Sequence, residues 1–437
     1  MRKKIAIVGG GFTGLACGLS LVDQGFQVTI FEASDKCGGL AKGFFPSASS
    51  GRTWGWSLES FYHHFFTNDK EIIQLAKKVN CPVQINSPVT SSFIHNKEIQ
   101  LDSPLSLLRF SGINLLARLR MGVGLGLLKM VPNGLFLEKY RAVDMLPKLL
   151  GKKGYESIWE KLLKAKFGPF VNQVNMAWFW SRVVKRTQRL GYFEGGFGGL
   201  VNKTKGYVER KGGKIKLNDG VRSVRLALLA QDDPSSQWLR GAGDILVNGE
   251  RFDAVVMTIP APATQKLFSG IDFPKIDYLW GQTLVLELSK KLIQGYWLNI
   301  LEDKWPFLVV VEHTNMIDKK YYGGNVLVYL GNYLPEDDEQ LKMTKEELIN
   351  LYSPFLRKIN HGFKKNQIKT RYLFRAPFAQ PVFPVNYSAS LPDMRTSIPG
   401  VYLANMSMVY PFDRGTNYAV KMGNEVAGMV IKDLEST

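Results

Sequence analysis

"IAIVGGGFTGLACGL", residues 5–19, decides how this chain folds. A short apolar run enters Gly9, Gly10 and Gly11, and Gly14 follows. Gly9, Gly11 and Gly14 stand in GxGxxG spacing. "KIAIV" reads as a buried strand, "TGLACGLSLVDQG" as a helix ending near Gly25, and "QVTIFE" as a second strand ending at Glu32. Each part has a physical task. Gly9 permits a tight turn, Gly11 lets backbone approach a pyrophosphate, and Gly14 lets helix and strand pack closely. The helix N-terminus then faces the phosphates. Glu32 lies 21 positions after Gly11 (32 − 11), where an acid accepts hydrogen bonds from ribose hydroxyls. A strand, this loop, a helix and a correctly spaced acid predict a dinucleotide-binding βαβ unit.

The residues after Glu32 narrow the dinucleotide. "EASDKCGGLAKG", residues 32–43, places Lys36 and the doublet Gly38-Gly39, followed by Leu40, close behind the acid. This resembles the FAD-binding opening of the superfamily of amine oxidases, protoporphyrinogen oxidases, phytoene desaturases and UDP-galactopyranose mutases. Lys36 stands where many members carry arginine. The resemblance implies FAD as cofactor. "SLESFYHHFFTND" (57–69) is similar to the segment reaching the flavin face, and aligns His63 with the first histidine of the mutases' "GPHIFHTN" pattern. "GGFGGL" (195–200) and "GGKIKLNDGVRSVRL" (212–226) resemble the return into the FAD domain, with backbone near Val221 meeting the adenine. "GVYLANMSMVYPFDRGTNYAVKMGNEVAG" (400–428) resembles the closing strand, loop and helix, whose N-terminus points at the flavin pyrimidine ring. Arg414, Gly415, Asn417 and Tyr418 fall there. The resemblance assigns His63 and Arg414 as candidate catalytic groups. The other named residues are candidate cofactor contacts.

The fold expected is α/β: a discontinuous Rossmann-like FAD-binding domain with an inserted α+β substrate domain. The segments are 1–80, 195–262 and 385–437 for the cofactor, 81–194 for substrate-domain helices, and 263–384 for a mixed sheet. No second GxGxxG follows a strand, so no separate nicotinamide domain is expected.

The 437 residues are 45% hydrophobic and 22% charged, enough apolar material for two or three domains. Three cysteines, Cys17, Cys37 and Cys81, form no CxxC pair. Reduced thiols, a cytoplasmic location and no metal are expected. "MRKK" before an apolar run imitates a signal peptide, but cleavage there would destroy the glycine loop. No stretch approaches the ~20 apolar residues of a membrane span. The net charge of +18 suits an anionic small-molecule substrate or a peripheral contact with an acidic membrane surface. Without a nucleic-acid-binding motif, no nucleic-acid partner is expected. Residues 103–137 hold no acid, but carry Arg109, Arg118, Arg120 and Lys129 among many leucines. They read either as a membrane-surface patch or as helices packed on the core, and packing is the favoured reading. Arg182, Lys185 and Arg186, and Arg371 and Arg375, are basic residues interleaved with aromatics.

The expected function is hydride transfer from an organic substrate to flavin. The alternative is a non-redox mutase acting on a sugar-nucleotide. Its obstacle is "ANMSMVYPFDRG", which lacks the arginine-glycine pattern expected after that strand. A flavin-binding regulatory protein is the non-enzymatic reading.

Overall fold

The computed structural model describes residues 2–46, 53–226, 245–268, 271, 273–413 and 415–436, so Arg414 lies outside the described residues. A five-stranded parallel sheet is gathered from distant parts of the chain, in the order Lys214–Lys216, Gln27–Phe31, Lys4–Val8, Ala254–Met257, Val401–Leu403. Its inner strands are covered on both faces, which is why they read as unbroken apolar runs. The period of two sorts them. Ile5 and Ile7 join the core beneath the Phe12–Asp23 helix. Ala6 and Val8 join the core beneath a three-stranded antiparallel sheet, Val224–Leu226, Ile245–Val247 and Glu250–Phe252. The Phe12–Asp23 helix also packs on the Gly196–Arg210 and Thr416–Glu435 helices.

A second sheet has seven strands, in the order Ile368–Pro381, Tyr278–Leu288, Val326–Leu334, Val309–Glu312, Trp297–Ile300, Thr90–Ile94, Lys97–Gln100. All its pairs are antiparallel except Trp297–Ile300 with Thr90–Ile94. Leu284, Leu286 and Leu288 pack against the Lys345–Ile359 helix on its outer face. Val285 and Tyr329 point inward to the core shared with the parallel sheet. Helices between Pro104 and Lys185 form a third apolar cluster around Trp178, Phe179 and Trp180. The parallel strands run in one direction, so Gly9, Glu32, Thr258 and Ala404 all emerge at the same edge. Open α/β sheets bind ligands at this edge.

Candidate active site

The glycine loop is built by steric necessity. Gly9 has φ of 108°, and its N–H donates to the Phe31 carbonyl at 2.8 Å. A Cβ on Gly14 would lie 2.0 Å from the Gly9 carbonyl oxygen, so only glycine lets the Phe12–Asp23 helix start there. Gly11 differs: a Cβ on it would meet nothing within 4 Å among the described residues. Gly11 caps that helix, among the described residues no side chain accepts from the helix N-terminus, and the first turn holds no acid. Uncapped N–H groups beside open space form a cradle for an anion.

Glu32 ties this loop to the next. Its Oε2 accepts the Gly10 N–H at 2.8 Å, and its Oε1 accepts the Ser34 N–H at 2.8 Å and hydroxyl at 2.7 Å. Gly38 N–H donates to the Gly10 carbonyl at 2.9 Å, and a Cβ on Gly39 would lie 3.5 Å from the Gly11 Cα. The doublet therefore touches the glycine loop. Leu40 is half-buried in the following turn, and Lys36 is exposed. Asn218 and Asp219 donate backbone N–H groups to the Ser34 and Glu32 carbonyls, both at 3.0 Å. These bonds bring half-buried Val221 alongside.

The histidine-bearing stretch, residues 57–69, rests on a residue that the sequence reading missed. Glu59 is fully buried. Its Oε2 accepts the Tyr192 hydroxyl at 2.6 Å and its Oε1 accepts the Phe197 N–H at 2.7 Å. Its carbonyl accepts the Tyr329 hydroxyl at 2.8 Å. Burial pushes the carboxyl up from 4.5 to about 7, against the pull of these hydrogen bonds. Glu59 is the sole acid between Asp35 and Asp69, a signal that could have found it. His63 Nδ1 lies 2.7 Å from the Phe61 carbonyl, and its ring packs 5.5 Å from that of Phe197. Glu59 therefore fixes the wall against which His63 rests. His64 sits among Phe66, Tyr296 and Trp297. Burial, then Arg186 and His63, pull it down to about 3, so it stays neutral.

The closing segment forms another side. Phe412 stacks on Tyr418, with centroids 4.8 Å apart and planes 7° apart. Gly415 caps the Thr416–Glu435 helix. Among the described residues no side chain accepts from that N-terminus, and its first turn has no acid. Asn417 Oδ1 accepts the Glu71 and Ile72 N–H groups at 2.9 and 3.2 Å, so this side chain caps the Lys70–Lys78 helix. Asn405 leaves its buried Nδ2 without a partner among the described residues. Asp413 accepts the Trp178 indole N–H at 3.2 Å and pairs with Arg182, with Lys166 at 3.9 Å. Burial works against its charge. Lys166, Arg182, the indole and Arg186 outweigh that cost and hold the carboxyl below its ordinary value. Lys185 Nζ lies 4.9 Å from the Phe412 ring centre.

Of the basic runs, Arg182 and Arg186 thus gather with Lys166 around one carboxylate. Arg371 instead pairs with Glu346, and Arg375 bonds to Gln282 at 2.8 Å, beside the outer helix. Two uncapped helix N-termini, the open cradle at Gly11 and the orphaned amide of Asn405 fit a dinucleotide carrying a pyrophosphate and an electron-poor ring system.

The comparisons agree with that fit. The model of the family described as flavin containing amine oxidoreductase matches residues 12–431. Among solved structures, one assigned as a protoporphyrinogen oxidase from Exiguobacterium sp. 255-15 is 15% identical, with a TM-score of 0.74 over 100% of this chain and 99% of that one. Cyclohexylamine oxidase from Brevibacterium oxydans IH-35A is 14% identical, with a TM-score of 0.69 and 100% of both chains covered. A reduced UDP-galactopyranose mutase is 15% identical, with a TM-score of 0.71 over 99% of this chain and 96% of that one. At these identities the likeness is one of fold. Among curated proteins, flavin-containing monooxygenase 3 of Oryctolagus cuniculus is 37% identical over 101 residues, which is 23% of this chain and 17% of that protein. The chain thus spans about a sixth of the length of the curated relatives it matches.

Proposed function

The chain belongs to the flavin containing amine oxidoreductase family, whose members are FAD-dependent oxidoreductases, and from that premise we propose that it oxidises a small organic substrate by hydride transfer to FAD. The observation that carries this reading is the uncapped, acid-free helix N-terminus behind the open space at Gly11. Bound flavin supplies the hydride acceptor, and the protein supplies orientation and electrostatics. On this reading Gly9, Gly11 and Gly14 receive the pyrophosphate, Glu32 the ribose, and the loop at Val221 the adenine. Lys36, Gly38, Gly39 and Leu40 line the path to the flavin. Segments 1–80, 195–262 and 385–437 hold the cofactor, and 81–194 with 263–384 hold the substrate.

His63 presents its imidazole at the substrate side, braced by Phe197. Gly415, the backbone at Asn417 and Tyr418 hold the pyrimidine end, where helix N–H groups favour negative charge. The sequence resemblance assigns Arg414 to this end as a cation. The cationic wall of Lys166, Arg182 and Arg186 supports an anionic substrate, since one carboxylate, Asp413, faces three positive groups. The surplus of positive charge, +18 overall, supports a peripheral contact with an acidic membrane.

Anaerobic mixing of the FAD-loaded protein with amines and with carboxylated donors tests this reading. Bleaching of the flavin absorbance with one class is expected, and no bleaching with any donor overturns it. The same cationic wall favours a second reading, a mutase taking a sugar diphosphonucleotide. Interconversion of UDP-galactose isomers by the dithionite-reduced protein, without net flavin oxidation, would establish that reading instead. Arg414→Ala is expected to lower the flavin midpoint potential by tens of millivolts. One charge-assisted contact is worth about 1.5–3 kcal/mol, and 30 mV corresponds to about 1.4 kcal/mol for two electrons. An unchanged potential in the folded variant leaves Arg414 a structural role.

A further inference from the structure

The Leu115–Met130 helix has two apolar faces and the fold uses one. Met121, Gly124 and Leu128 are buried against the helices beside it. A second stripe, Leu116, Leu119, Val123, Leu127 and Met130, covers about 80° of the circumference at 3.6 residues per turn. It stays in solvent: Leu116 is 78% exposed, Val123 63% and Met130 79%. Leu105 and Phe136, from the segments on either side, are 56% and 57% exposed. The favoured sequence reading, helices packed on the core, therefore holds only for a narrow seam. Soluble surfaces rarely leave so many large apolar side chains together.

We infer that this face docks on an anionic phospholipid bilayer, with the helix lying in the plane of the interface. The inference deepens the peripheral-contact reading above and is independent of the redox reading. Charge selects the occupant. Residues 103–137 contain no acid, while Arg109 and Lys129 are exposed. The next acid, Glu138, is turned inward onto Ser388 and the Tyr410 hydroxyl. Arg118 and Arg120 donate to the carbonyls of Leu108 and Lys148, on the helices on either side. Basic groups flanking an apolar stripe match acidic headgroups over acyl chains. A second copy of the chain would bring like charges together instead. Sixteen residues reach about 24 Å, short of the ~30 Å hydrocarbon core. Among the described residues no helix is long and apolar enough to cross a membrane.

The test is cosedimentation of the full-length, FAD-loaded protein with vesicles of phosphatidylcholine containing roughly one-third phosphatidylglycerol, against phosphatidylcholine alone. Binding to the anionic vesicles is expected to be at least tenfold tighter. The triple variant Leu116→Ser, Val123→Ser, Leu127→Ser alters only exposed positions. It is expected to keep its flavin spectrum and lose binding at least tenfold. Val385→Ser, at another exposed apolar site, is expected to bind as the parent does. Arg109→Gln with Lys129→Gln should abolish the preference for anionic lipid. The inference is overturned if the parent stays in the supernatant, or if the triple variant binds undiminished. It is also overturned if light scattering shows a dimer that the triple substitution converts to monomer, which would assign the face to a second copy. Flavin bleaching by donors in the triple variant separates failure here from failure of the redox reading.

Discussion

Glu59→Gln should remove one contribution to the pH dependence of stability, the one that lowers stability as pH rises. The buried carboxyl has its proton affinity raised from 4.5 to about 7. Between those values the folded protein holds a proton that the unfolded chain releases. The folded state binds more protons there, so this group's contribution is complete below pH 4.5 and is lost as pH rises through about 7. At ~1.4 kcal/mol per tenfold change in proton affinity, the loss reaches about 3 kcal/mol by pH 8. Glutamine keeps the geometry without the charge. Its carbonyl can accept the Phe197 N–H, and its amide can donate to the Tyr192 hydroxyl. Variant and parent should therefore unfold alike near pH 4.5, and the variant should gain steadily up to pH 8. Other titrating groups cancel in that difference. The assay is the thermal midpoint of the FAD-loaded proteins, read by release of flavin fluorescence at several pH values. A widening gap of several degrees is expected. A constant gap, or one that widens in favour of the parent, refutes the argument, because it would mean that the ionised carboxylate is stabilising. Glu59→Ala serves as contrast: it strands the Phe197 N–H and Tyr192 hydroxyl, each costing about 1–3 kcal/mol at every pH.

Gly11→Ala should fold yet lose FAD, because its Cβ meets no described protein atom within 4 Å and would stand where the pyrophosphate approaches on the proposed reading. Gly14→Ala should fail to fold, with its Cβ 2.0 Å from the Gly9 oxygen; circular dichroism and flavin content of the two variants separate these outcomes. Asn417→Ala should lower the thermal midpoint, since two N–H groups of the Lys70–Lys78 helix lose their acceptor, at about 1–2 kcal/mol for a lost cap. His313 is pulled by burial from 6.5 to about 3, with Nε2 2.9 Å from the Tyr322 hydroxyl. The unfolded chain then binds the extra proton, so stability is lost as pH falls below 6.5. His313→Gln should remove about 3 kcal/mol of that loss at pH 4.5, measured as a shallower acid limb of urea midpoints; an unchanged limb would show that His313 is protonated in the folded state.

The sequence by itself determined everything local. A glycine loop between an apolar strand and a helix has few conformations open to it, and Gly9 and Gly14 meet the steric demands that their spacing implies. Glu32 and the Gly38-Gly39 doublet were singled out by spacing as cofactor contacts, within about thirty residues of the loop; that Glu32 and Gly38 also bond to Gly10 and brace that loop is what the structure adds. The sheet expected within 263–384 contains the strands Tyr278–Leu288 and Val326–Leu334, where Val, Thr and aromatic side chains suit a pleated surface. Tertiary structure alone decided what distant residues do to each other. It brought Glu59 to Tyr192 and Phe197 and raised its proton affinity. It turned Asn417 onto a helix some 345 residues away in sequence, and it drew Lys166 and Arg182 onto Asp413. A leucine-rich helix looks the same in sequence whether its second face is covered or bare. Only the packing of its neighbours left Leu116, Val123 and Met130 in water. Burial and long-range pairing depend on the whole fold, and no window of sequence contains them.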